Sequence, residues 1–124
     1  MNQLASKSFD IAPAPGATPI DRRHLARMTF GDRSLEREVL DLFDRQATIL
    51  IARMRGGEPS AVASLAHTLK GSAAGIGAGR VARTADAAQI AATGSAAECS
   101  QAIDRLAAAV DEARVLIAEL LREG

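Results

Sequence analysis

"AHTLKGSAAGIGA", Ala66–Ala78, decides the fold class and poses the functional question at the same time. Read together with the residues from Pro59 onward, it predicts a helix that runs to Gly75 or slightly beyond. At about 100° per residue, Val62, Leu65, Ala66, Leu69, Ala73 and Ile76 fall within roughly 40° of one direction, the expected core face. His67 lies roughly 140° from that direction and faces outward. Its neighbours on the outer face, Ala63, Ser64, Gly71, Ala74, Gly75 and Ala78, are all small. A solvated helix face ordinarily carries Lys, Glu, Arg or Gln. Each mid-helix glycine also costs about 1 kcal/mol relative to alanine. The sacrifice makes sense where another backbone must come close to the imidazole.

Working outward, Gly56-Gly57 and Pro59 mark a tight connection to the preceding helix, expected over residues 33–55. Asp32 is its N-cap, and Leu35, Val39, Leu42, Phe43, Leu50 and Met54 are its apolar positions. A short helix is expected before it, over 21–28, ended by Phe30-Gly31-Asp32. After the histidine helix comes an alanine-rich one over 79–92, then a break at Thr93-Gly94-Ser95. The final helix carries Ile103, Leu106, Val110, Ala113, Ile117 and Leu120 at alternating spacings of three and four, a bundle seam. The same alternation could mark a coiled-coil dimer, but it runs for under three heptads. The expected fold is all-α: an antiparallel four-helix bundle with a short extra N-terminal helix. Residues 1–19, with three prolines and no apolar period, read as a flexible tail, and 20–124 as the bundle domain.

Composition removes several function classes. Fifteen basic residues balance fifteen acidic ones, so no net field draws nucleic acid or an anionic membrane surface. With no Trp or Tyr and three Phe, platforms for stacking on single-stranded nucleic acid are lacking. One cysteine, Cys99, forms no internal disulfide, and two distant histidines give no structural zinc set and no expected metal site. There is no signal-type apolar segment and no 18-residue apolar run, so a cytoplasmic, soluble and monomeric chain is expected. His24 reads as a surface histidine and Cys99 as incidental.

Two further residues gather around His67. Lys70 is one turn on and roughly 60° around the helix, with a stem long enough to bring its ammonium near a group on the ring. Gln46 stands eleven residues before Gly57 and His67 ten after, so antiparallel helices place them level. On its own helix Gln46 falls inside the apolar stripe, where a polar side chain needs a partner, and the imidazole is one candidate. A hydrolytic triad is poorly supported: no Asp or Glu lies between Pro59 and Ala85, and Ser72 points away from His67. No P-loop or dinucleotide fingerprint is present. The chemistry that fits is nucleophilic. Near neutral pH much of an imidazole is unprotonated and can attack phosphorus, needing only exposure, a nearby cation and room for a partner.

The run Ala66–Ala78 resembles the signature of the histidine-containing phosphotransfer (HPt) domains of bacterial multistep phosphorelays. "LEREVLDLFDRQATIL", residues 35–50, resembles the helix that precedes it there, so the similarity extends over 20–124. The resemblance implies a phosphocarrier with no nucleotide site of its own. On that reading His67 accepts a phosphoryl group, on Nε2, from a receiver-domain aspartyl-phosphate and passes it to another response regulator. Lys70 would stabilise the phosphoryl group, Gln46 would orient the ring, and Gly71 with its small neighbours would admit the receiver or a hybrid histidine kinase. No cofactor would be its own; magnesium would come from the receiver. The chain departs from the family pattern at Ala88-Gln89, where leucine and glutamate are usual, and at Pro59, near where an aromatic often stands. Two other readings stay open: a helical module that docks on receivers or kinases without carrying phosphate, and the phosphoacceptor dimerisation region of a sensor kinase.

Overall fold

The computed structural model describes residues 18–123, which form five helices and no strands. We label them α1 (Arg22–Met28), α2 (Arg33–Met54), α3 (Pro59–Ile76), α4 (Gly79–Ala91) and α5 (Ala96–Glu123). Helix α2 packs on α3, α3 on α4, α4 on α5, and α5 returns to α2, while α1 sits against α3. The cycle encloses one apolar core. All but two of the expected tail residues, 1–17, lie outside the described residues. Ile20, the first residue of the expected domain, is already buried.

Local chemistry sets the boundaries. The Asp21 and Asp32 carboxylates accept the His24 and Leu35 backbone N–H groups at 3.1 and 3.0 Å, capping α1 and α2. Pro59 occupies the first turn of α3, where its missing N–H removes no helical bond. Ser95 and Glu98 form a reciprocal capping box on α5: the Ser95 N–H donates to Glu98 and the Glu98 N–H to Ser95, at 2.9 and 3.1 Å. Gly77 ends α3 at φ +80°, and a Cβ there would stand 2.9 Å from the Asp21 carbonyl oxygen. That position requires glycine twice over, for backbone sign and for space.

The α5 seam is as expected, with Ile103, Leu106, Val110, Ala113, Ile117 and Leu120 all buried. Each large aliphatic side chain so buried contributes roughly 1.5–3 kcal/mol. Val81, Ala85 and Ala88 form the inward face of α4, and their small size lets α3 and α5 each pack closely against that helix. Ion pairs of the exposed rim, Arg55–Asp104 at 2.9 Å, Arg80–Glu112 at 2.7 Å and Arg114–Asp44, connect α5 to α2 and α4. Such pairs add at most about 1 kcal/mol each.

Helix α2 corrects one expectation. Its inward stripe is Leu40, Phe43, Ala47, Leu50 and Met54, at steps of three and four. Leu42 is 57% exposed and Leu35 also faces solvent. The helix carries two apolar stripes, and the second, Leu35, Leu42 and Ile49 at a seven-residue repeat, lies on the outside.

Candidate functional site

Helix α3 fixes where His67 points. Val62, Ala66, Leu69, Ala73 and Ile76 anchor its inner face, and the two of these nearest the histidine, Ala66 and Leu69, are wholly buried. With the helix pinned on that side, the ring is exposed on the other. No side-chain hydrogen bond or ion pair joins His67 to any of the described residues. The imidazole is free to react.

The surroundings are open. Ser64, Gly71 and Ala74 are exposed, and Ala63 and Gly75 are half-buried. A Cβ placed on Gly71 or Gly75 would meet nothing within 4 Å, so neither glycine is required by packing within the chain. Ala78 departs from the expected docking face: it is wholly buried. The helical wheel does not reach it, because Gly77 reverses the chain and Ala78 becomes the N-cap of α4, with its methyl in the core.

Lys70 sits beside this face, but its ammonium is engaged. Nζ donates to Asp86 Oδ1 on α4 at 2.9 Å, across sixteen residues of sequence. Asp86 is absent from the residues singled out in the sequence, since a contact between helices leaves no mark at i+3 or i+4 spacing. Gln46 is half-buried and lines a groove of about 420 Å³ with Val39, Leu42, Phe43, Ser72 and Ile76. The anticipated bond between Gln46 and the imidazole is not formed; the amide has no hydrogen-bond partner among the described residues.

His24 is also more than a surface residue. It is half-buried, and Nε2 lies 3.1 Å from the Gly75 carbonyl oxygen, so it donates in the tautomer protonated there. With the Asp21 N–H donating to the Gly77 carbonyl at 2.9 Å, this bond ties α1 to the end of α3, along one edge of the histidine face. Cys99 is half-buried beside the Gly56-Gly57 turn, lining a separate cavity of about 380 Å³.

Among the described residues, no group of three His, Cys, Asp or Glu side chains stands close enough to hold a metal ion. Among them, too, no helix is long and apolar enough to cross a membrane. What the arrangement offers is an uncommitted nucleophilic ring, a cation nearby on a weak tether, and clearance above the helix. The family model described as Hpt domain matches residues 34–115, from the first turn of α2 to the last third of α5 and including the whole histidine face. No curated protein and no solved structure matches the chain.

Proposed function

The chain belongs to the Hpt domain family, whose members carry phosphoryl groups in histidine phosphorelays and interact with response-regulator receiver domains; on that premise we propose that His67 is the residue that carries the group. In this reading the described helices are the antiparallel four-helix bundle of a cytoplasmic carrier with a short helix added before it. The observation that supports it most is the exposed, unpartnered imidazole on a face kept clear by Ser64, Gly71 and Ala74.

The neutral ring attacks the phosphorus of a receiver aspartyl-phosphate through Nε2. The N–P bond forms as the P–O bond to the aspartate breaks, the electron pair stays on the departing carboxylate, and the ring proton remains on Nδ1. The reverse exchange at a second receiver passes the group onward. The carrier holds the phosphoryl group exposed on its surface, and the receiver brings the metal that neutralises charge in transfer. Lys70 supplies a local positive charge for the phosphoryl oxygens. Small residues matter because the receiver's backbone must bring its aspartate to within bonding reach of Nε2. Gln46, on the neighbouring helix, is the candidate to orient the ring, although no bond between the two is formed in the bare protein.

The test is transfer from a phosphorylated receiver. Acid-labile, base-stable label is expected on the wild type and absent from His67→Gln. Equal labelling of His67→Gln would overturn the assignment, and normal signalling by that variant would favour a docking module that carries no phosphate.

A further inference from the structure

We propose that Asp86 sets how readily His67 gives up its phosphoryl group, by competing with that group for the Lys70 ammonium. The inference rests on the reading of His67 as the phosphorylated residue, and it adds a positioning residue from a different helix.

The geometry carries it. Lys70 lies one turn from His67 on α3, and its ammonium is held 2.9 Å from Asp86 on α4. The two side chains are 42% and 47% exposed, so water and salt screen the pair and it is readily exchanged. A phosphoryl group on the ring would bring close to two negative charges and three acceptor oxygens beside that ammonium. The ammonium has three N–H donors, but one flexible stem cannot place them on Asp86 and on the phosphoryl oxygens equally well. Each state therefore has its own partner for Lys70: Asp86 when the ring is bare, the phosphoryl group when it is loaded.

Asp86 thus favours the unloaded protein. It gains its cation back when the group leaves. The carboxylate makes His67 a stronger donor and a poorer store. Charge spacing of this kind in a solvated setting corresponds to about a three- to tenfold effect on the loaded-to-unloaded equilibrium.

Asp86→Asn removes the charge and keeps the shape. Wild type, Asp86→Asn, Asp86→Glu, Lys70→Ala and the Lys70→Ala/Asp86→Asn double variant are loaded with phosphoramidate. The P–N bond of that donor breaks, releasing ammonia, as the Nε2–P bond forms. Phosphohistidine lifetime and the equilibrium ratio against a receiver are then measured. Asp86→Asn is expected to lengthen the lifetime and shift the ratio toward this chain by about three- to tenfold, with Asp86→Glu returning most of the way to wild type. In the Lys70→Ala background the same change should have less than about a twofold effect, since coupled residues do not add. A lesion of the fold would not raise the loaded fraction, so a gain is specific. Unchanged lifetimes in Asp86→Asn, or an equal gain without Lys70, would overturn the proposal. Label that persists on His67→Gln would instead overturn the assignment of His67 as the phosphorylated residue, on which the proposal rests.

Discussion

Gly71→Ala is expected to make the protein more stable, because nothing within the chain requires glycine there and, on the proposed reading, it leaves room for a partner. Gly71 is within α3, one turn beyond His67, and a Cβ at that position would contact nothing within 4 Å. An exposed helical glycine is less favourable than alanine by about 1 kcal/mol, partly through the freedom it gives the unfolded chain. No packing change offsets that term here. The substitution should therefore add about 0.5–1 kcal/mol, which for a domain of this size raises Tm by about 2–5 °C. Gly71→Arg should stabilise comparably, since arginine is also a good helix former. Its long side chain would stand over the imidazole at i+4, where a receiver must approach. Misplacing reacting groups by an ångström lowers rates by about 100-fold, and a loss of that order is expected in transfer from a receiver. Loading by phosphoramidate, a donor of a few atoms, should stay close to the wild-type rate. Calorimetry and the two transfer assays run on the same preparations give the answer. A lower Tm for Gly71→Ala, or receiver transfer to Gly71→Arg at the wild-type rate, would refute the argument that clearance above the helix is what the glycine provides.

Gly77→Ala should act in the opposite sense, lowering stability by about 1–3 kcal/mol in urea unfolding, because it meets both a left-handed backbone and the Asp21 carbonyl; a neutral result would contradict the turn geometry. His24→Ala removes the bond to the Gly75 carbonyl and should cost about 1 kcal/mol. Hydrogen exchange would show α1 amides opening faster while α5 stays protected, and uniform change across the helices would argue against a local tether. The Glu98 carboxyl is held below its ordinary range by the Ser95 backbone N–H and then by the Ser95 side chain. A depressed value means the cap stabilises the folded chain above the ordinary glutamate range and is lost as pH falls through the folded midpoint. An NMR titration of Glu98 should show that low midpoint, and a midpoint at or above the ordinary one would contradict the capping box.

Legibility in the sequence followed how local the determining physics is. The α5 seam and the inner face of α3 are periodic over many residues, and every expected position is buried except Leu65, which lies at the edge of the α3 face and is half-buried. The N-cap Asp32 and the first-turn Pro59 act within one turn of themselves, so they too could be read. Helix α2 was ambiguous, since Leu35, Leu42 and Ile49 repeat as regularly as the stripe that is buried. Period alone does not say which of two apolar stripes faces inward. Ala78 was misplaced by extending the helical wheel past Gly77, where the left-handed residue ends it. The Lys70–Asp86 and His24–Gly75 contacts join separate helices, and no spacing rule within one helix could disclose them. The histidine face itself was legible because its oddity, small residues where long polar ones belong, is written along a single helix.

The most direct test of the account uses protein carrying ¹⁵N-labelled imidazoles, loaded from a phosphorylated receiver and observed by ³¹P–¹⁵N NMR. A coupling that places phosphorus on Nε2 of His67, with His24 unmodified, is the expected result. Phosphorus found on His24 or on a serine hydroxyl, or not taken up at all, would contradict it.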